Sequence, residues 1–373
     1  MLTEAFTTLS PQLAARYQAV LAPALTSSPE LIALHEHYLD YTHLDAHLPR
    51  PVLAYFGYHA ATDEVTFDDL DTIGDGLLIA QLVRDFLAIH DDIVDEDLDK
   101  FGAAPLPVRL SGQVDQKLTQ HGKDLALYYG DFLIGVILQL AADTGTHAPA
   151  ITRLIGDTLY VTQRGQLAEL LTEKKQLRDT DIEDVLLIGE RKAAYYCYGF
   201  PFALGATLAG HPPDVIDPVV RVLLAIGTLS QAVDDLTGAF PGMIDNDKDT
   251  LGEIANLRRT LPLVLLAHNT TQTDVVELLA APTPLGQDDS RRLREDFWNS
   301  DAPRLALTLC QEKLTQIQPR LDTLPLGIAA ATYLNDLVHH RLTTNINRFA
   351  GAVTHDPSRG EDSSPGPTWG PGL

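Results

Sequence analysis

Apolar residues recur along this chain at the i, i+3, i+4, i+7 spacing of helix faces, and no segment shows the strict alternation of a strand. The periodicity predicts helices over about 10–25, 29–44, 50–62, 66–98, 121–144, 147–174, 180–190, 191–209, 214–238, 259–268, 288–298, 302–321 and 326–349. Breakers separate them: Gly102 followed by Pro105 and Pro107, Pro212-Pro213, Pro241-Gly242, and Pro282 with Pro284. The predicted fold class is all-α, one large helical domain over residues 1–350. From about His355 the chain reads HDPSRGEDSSPGPTWGPGL, rich in Pro, Gly and Ser, so residues 351–373 are expected to form a disordered tail.

Two helices carry clustered aspartates among their apolar positions. His90-Asp91-Asp92-Ile93-Val94-Asp95-Glu96-Asp97 follows Phe86-Leu87-Ala88-Ile89, and six carboxylates fall in the nine residues from Asp91 to Asp99. Gln231-Ala232-Val233-Asp234-Asp235 follows Leu223-Leu224-Ala225-Ile226-Gly227. Asp91 and Asp95 are four apart and project from one face of a helix, where like charges repel unless a cation lies between them. A solvated acidic helix end is the ordinary reading of such a cluster. Carboxylates walled by hydrocarbon are costly unless paired or bound to metal, and that company favours metal binding here. Two such helices facing each other across a bundle make an oxygen-only cage suited to Mg²⁺ and a phosphorylated ligand.

Composition narrows the partners. A formal charge of −24 over 373 residues argues against nucleic acid and anionic membrane surfaces. A protein so acidic must gather its few basic residues, or metal ions, where it binds a diphosphate. Cys197 and Cys310 lie in apolar stretches and are expected to be buried thiols in a reducing compartment. The N-terminus MLTEAFTTLSPQLAARYQ shows no basic region before an apolar core, and no run of about 18 uncharged apolar residues marks a membrane span. The expected location is cytoplasmic.

In their order and spacing these motifs resemble the trans-isoprenyl diphosphate synthases, the polyprenyl synthetase family, from Arg50-Pro51 to about Arg348. The two aspartate clusters look like the family's two aspartate-rich motifs. Gly130-Asp131 resembles its Gly-Asp, Gly165-Gln166 through Glu169 its GQxxD/E segment, and Lys192-Ala193 its Lys-Thr. Arg258-Arg259-Thr260-Leu261-Pro262 resembles the GKxTLP element. The resemblance implies an isoprenoid-synthase bundle around a central cavity. An allylic prenyl diphosphate would be ionised there by Mg²⁺, three ions arriving with the diphosphate, and isopentenyl diphosphate would attack the resulting cation. It implies Asp91, Asp92, Asp95, Asp234 and Asp235 as metal ligands, Lys192 and Gln231 in the catalytic set, and Lys100, Lys192, Arg258 and Lys248 around the allylic diphosphate. A homodimer is the family's habit.

The departures concentrate on the second diphosphate. Where the family reads Gly-Gly-Lys-x-x-Arg-Pro, this chain reads Asp45-Ala46-His47-Leu48-Pro49-Arg50-Pro51, so Arg50 is kept and the lysine is His47. The Arg-Arg-Gly after the first motif is Lys100-Phe101-Gly102, and the histidine two turns before the motif is Arg84. Ala193 replaces a hydroxyl residue, Ser230 an aromatic, and Gly238 a third aspartate. The second site would consist of His47, Arg50 and Arg84. Two cations lost at about 1.5–3 kcal/mol each keep a terpene cyclase, or a prenyltransferase to another acceptor, open as the alternative. A non-catalytic partner subunit is disfavoured, because the aspartates are present.

Phe86 and Leu87 lie five and four residues before Asp91, one turn deeper on the same helix, where the resemblance implies that bulk limits the product to about ten to fifteen carbons. Ordinary core packing explains them equally well. His35, His37, His43 and His47 match no compact zinc spacing and read as surface histidines. Asp245, Asp247 and Asp249 begin like a calcium loop, but Thr250 and Asn256 stand where glycine and glutamate are needed.

Overall fold

The computed structural model describes residues 1–26, 28–42, 48–96, 98, 103–112, 118–239 and 252–354, and no β-strand occurs among them. His43, His47, Asp97, Asp99, Lys100, Phe101, Gly102, the segment with Asp245 to Lys248, and residues 355–373 lie outside the described residues. The first ten helices are α1 (Leu2–Leu25), α2 (Pro29–Thr42), α3 (Pro49–Tyr58), α4 (Leu70–Asp95), α5 (Leu106–Arg109), α6 (Gln120–Ala142), α7 (Ala148–Thr172), α8 (Ile182–Gly189), α9 (Phe200–Leu208) and α10 (Pro213–Ala239). Seven more follow: α11 (Gly252–Ala255), α12 (Leu261–Asn269), α13 (Thr273–Leu278), α14 (Gln287–Asn299), α15 (Ala302–Leu321), α16 (Ile328–Val338) and α17 (Thr344–Thr354). One continuous cluster of buried residues runs from Leu2 to Phe349.

Several boundaries differ from the periodicity. α1 begins at Leu2, well before residue 10, because Leu2, Ala5, Leu9, Leu13, Tyr17 and Leu21 form one buried stripe that carries the helix through Pro11. α4 starts at Leu70, not near residue 66, since Phe67 takes a left-handed backbone with φ of 61°. It stops at Asp95 because Glu96 does the same at φ 56°. The break expected at residue 190 does not exist. α8 and α9 are joined by a π-helical stretch, Glu190–Gly199, and a shorter one, His339–Thr343, joins α16 to α17. A π turn takes in an extra residue and is a common device at functional sites. α17 runs through Thr354, past the boundary set at residue 350.

α6 and α10 are long and apolar enough, by length and composition alone, to cross a membrane, although charged residues interrupt the apolar run of each. Asp131 is the one charged residue in the last 18 positions of α6. Both are bundle helices: α6 packs on α4 and α5, and α10 on the first π-stretch and α15.

α3 and α9 meet backbone to backbone. A Cβ on Gly57 would fall 2.2 Å from the Phe202 carbonyl oxygen, and one on Gly205 would fall 1.7 Å from that of Ala54. Only glycine permits this approach.

Candidate active site

Adjacent residues on a helix point about 100° apart, so each aspartate pair must split between two faces. In the first motif Asp91 and Asp95 keep 19% and 13% of their side chains exposed, whereas Asp92 is buried at 1%. In the second, Asp234 keeps 34% exposure, while Asp235 turns inward at 8%. Asp235 accepts hydrogen bonds from Gln231 Nε2 at 2.8 Å and from the backbone N–H of Leu261 at 3.3 Å, so it ties α10 to the first turn of α12. Burial, with Glu253 next, pushes its carboxyl up to about 7. Asp235, expected as a metal ligand, has both oxygens hydrogen-bonded within the protein, one of them by Gln231.

Each of the three partly exposed carboxylates, Asp91, Asp95 and Asp234, has a basic partner of its own. Lys192 Nζ lies 3.2 Å from Asp91 Oδ1, and Gln166 Nε2 donates to the same oxygen at 2.6 Å. Arg258 Nη1 lies 2.8 Å from Asp95 Oδ1. Arg341 Nη2, from the second π-stretch, lies 3.7 Å from Asp234 Oδ2. Lys192 also donates to Glu169 Oε2 at 2.6 Å. Burial alone would lower the Lys192 ammonium, but Asp91, Glu169 and Asp95 outweigh it and hold it well above the ordinary lysine range. Glu169 is raised by burial, against the pull of Lys192. Gly165 makes this meeting possible, since a Cβ there would lie 2.5 Å from the Lys192 backbone nitrogen. Arg341 carries no motif signal, because only the packing of α16 and α17 brings it to Asp234.

Beside this cluster lies a second basic group. Arg50, 5% exposed, donates from Nη2 to Cys197 Sγ at 3.0 Å and lies 5.7 Å from the centroid of the Tyr196 ring. Arg84 pairs with Asp85 at 3.3 Å, and both guanidiniums act on the Tyr196 phenol. Tyr198 donates to Ser230 Oγ at 2.9 Å. Phe86 and Leu87 are 9% and 4% exposed, and the Phe86 ring lies 4.3 Å from that of His90. His90 in turn packs on Gly130, with Nε2 3.8 Å from Asp131. His35 is no surface histidine. It is 4% exposed, with Nδ1 2.7 Å from Tyr129 Oη and Nε2 3.2 Å from Gln18 Oε1. Cys197 and Cys310 are both free and buried, as expected.

Among the described residues no three carboxylates, imidazoles or thiols converge closely enough to hold a metal by themselves. The donor set still fits Mg²⁺. It is all oxygen, partly exposed and split between two helices, and Mg²⁺ takes one or two carboxylates together with ligand phosphates.

The chain matches the polyprenyl synthetase family model over residues 33–294. It is 27% identical over 195 residues to the (2E,6E)-farnesyl diphosphate synthase of Mycobacterium tuberculosis, covering 52% of this chain and 50% of that one. It is 25% identical over 264 residues to the geranylfarnesyl diphosphate synthase of Natronomonas pharaonis, covering 69% and 71%. It thus spans about half the length of the first of these relatives. Its fold is that of the geranylgeranyl pyrophosphate synthase from Corynebacterium glutamicum, solved with isoprenyl diphosphate and magnesium. That likeness has a TM-score of 0.77 at 19% identity and covers 90% of this chain and 97% of that one. The chain belongs to the polyprenyl synthetase family.

Proposed function

We propose that this protein is a Mg²⁺-dependent prenyltransferase that ionises an allylic prenyl diphosphate and joins it to isopentenyl diphosphate, giving a longer short-chain prenyl diphosphate. The observation that carries this is the set of three carboxylate–base pairs, Asp91 with Lys192, Asp95 with Arg258 and Asp234 with Arg341. Each pair offers an oxygen to a divalent cation and a positive group to the diphosphate that the cation brings. Three bound Mg²⁺ ions would supply Lewis-acid neutralisation of the departing pyrophosphate. Asp91, Asp95 and Asp234 would hold them. Lys192 and Arg258, no longer occupied by their carboxylates, would then hydrogen-bond the leaving oxygens.

Arg50 and Arg84 would receive the diphosphate of the acceptor. The Nε atoms of Arg50 and Arg341 are buried and have no hydrogen-bond partner among the described residues, a cost that an anionic ligand relieves. Phe86, Leu87, Tyr196 and Tyr198 would enclose the hydrocarbon and keep water from the cation. A homodimer is supported by exposed apolar side chains on neighbouring helices, Leu127 and Leu138 of α6 and Tyr160, Leu167 and Leu171 of α7. Two buried free thiols suit the cytoplasm.

The test is product analysis by mass spectrometry. The protein and Mg²⁺ receive dimethylallyl, geranyl, farnesyl or geranylgeranyl diphosphate, with and without isopentenyl diphosphate. A longer prenyl diphosphate appearing only with isopentenyl diphosphate is the expected result. A hydrocarbon or alcohol formed without it would replace this reading with a terpene cyclase.

A further inference from the structure

Four helices meet around one carboxylate next to Arg84, the residue proposed to receive the acceptor diphosphate. Asp85 on α4 is fully buried. Tyr17 Oη, from α1, donates to its Oδ2 at 2.9 Å, and Gln81 Nε2 donates to Oδ1 at 2.8 Å. Arg84 Nη1 lies 3.3 Å from the same Oδ1, and the charge of Asp85 is also felt by the buried phenol of Tyr38 on α2. Tyr129 of α6 closes the cluster, its ring 5.5 Å from that of Tyr38 and its hydroxyl 2.7 Å from His35.

Core packing does not call for a charge here. A hydrophobic residue of similar volume would be as stable as a buried ion pair, or more so. What the carboxylate adds is direction. Arg84 keeps one-fifth of its side chain exposed, one edge of its guanidinium is fixed by Asp85, and its charge, like that of Arg50, acts on the Tyr196 phenol. An arginine held in this way loses little further rotamer freedom when an anion arrives. The brace comes from α1, which ends at Leu25, before the family match begins at residue 33.

We infer that Asp85, braced by Tyr17, is a positioning residue that presents Arg84 to the acceptor diphosphate. The inference rests on the elongation reading above. The charge of Asp85 orients Arg84, and the Tyr17 hydroxyl keeps Asp85 from turning towards the cavity and competing with the ligand.

Isopentenyl diphosphate binding by calorimetry and steady-state elongation would be measured on wild type, Tyr17→Phe, Asp85→Asn, Arg84→Gln and the two double variants with Arg84→Gln. Tyr17→Phe and Asp85→Asn are expected to weaken isopentenyl diphosphate binding and raise its KM about tenfold. The allylic KM and kcat should stay within about twofold, and neither substitution should add to Arg84→Gln. Variants that lose thermal stability while binding isopentenyl diphosphate like wild type would overturn the inference alone. Full additivity with Arg84→Gln would do the same. A wild type that binds no isopentenyl diphosphate would overturn the proposed function and this inference with it. Tyr17→Phe leaves the carboxylate and the packing in place, so the question survives if Asp85→Asn fails to fold.

Discussion

Lys192 Nζ stands between Asp91 Oδ1, at 3.2 Å, and Glu169 Oε2, at 2.6 Å, so one ammonium is shared by carboxylates from α4 and α7. Lys192→Met leaves both acids facing each other in a partly buried site. Turnover is expected to fall about 10²–10³-fold, the usual cost of losing one group that stabilises developing negative charge. The metal-free variant should also melt below wild type, and Mg²⁺ with inorganic pyrophosphate should close that gap. Steady-state kinetics and paired melting curves check both.

The split within each aspartate pair separates the proposed metal ligands, Asp91, Asp95 and Asp234, from the buried Asp92 and Asp235. Asp91→Asn, Asp95→Asn and Asp234→Asn are each expected to lower turnover by about 10³-fold, several kcal/mol of Lewis-acid stabilisation. Asp235→Asn keeps an oxygen for the Leu261 N–H and should leave the Mg²⁺ dependence within about threefold of wild type. Magnesium titrations of turnover for the four variants decide the assignment. A shift for Asp235→Asn as large as that for Asp234→Asn would return Asp235 to the metal set.

The helices, the two aspartate motifs and Lys192 could be read from the chain because each rests on local spacing. The 100° step between neighbours on a helix could also have shown that Asp92 and Asp235 point to a different face from Asp91 and Asp234, the face the structure buries. Arg341 and the Tyr17–Asp85 contact could not be read in this way. They join residues separated by over 100 and by 68 positions, and only tertiary packing brings them together. The π-stretch from Glu190 to Gly199 also escaped the periodicity, since a 3.6-residue pattern has no means of marking one extra residue.

Phe86 lies one turn below Asp91 with its ring against His90. Phe86→Ala opens space where the growing hydrocarbon would extend, so the product should lengthen by about one five-carbon unit. Mass spectrometry of products from the variant and wild type gives the answer, and an unchanged chain length would make Phe86 a packing residue only.

Burial holds the His35 imidazole below the ordinary histidine range, and Asp85 only partly offsets this. The unfolded chain therefore takes up a proton that the folded chain refuses, and stability falls as the pH drops through about 6.5. His35→Gln should remove that part of the pH dependence. Urea unfolding at pH 5.5, 6.5 and 7.5 measures it, and parallel curves for variant and wild type would exclude His35 as its source.

Gly205→Ala places a methyl group against the Ala54 carbonyl, where no side chain can move aside. A loss of about 3 kcal/mol in unfolding free energy is expected. The same substitution at the exposed Gly135, which has nothing within 4 Å, should stabilise α6 slightly. Denaturant midpoints for the two variants make the comparison.

The glycine contact between α3 and α9 acts as a ruler. α3 carries Arg50, and α9 continues the rod that carries Lys192 and Cys197. With main chain resting on main chain, the gap between the arm that would grip the acceptor and the arm that would grip the donor is set by peptide geometry, not by side-chain choice. The residues proposed to enclose the hydrocarbon, Phe86, Leu87 and Tyr196 among them, could then change to suit different chains while the two reacting carbons of the proposed reaction would still meet at one separation.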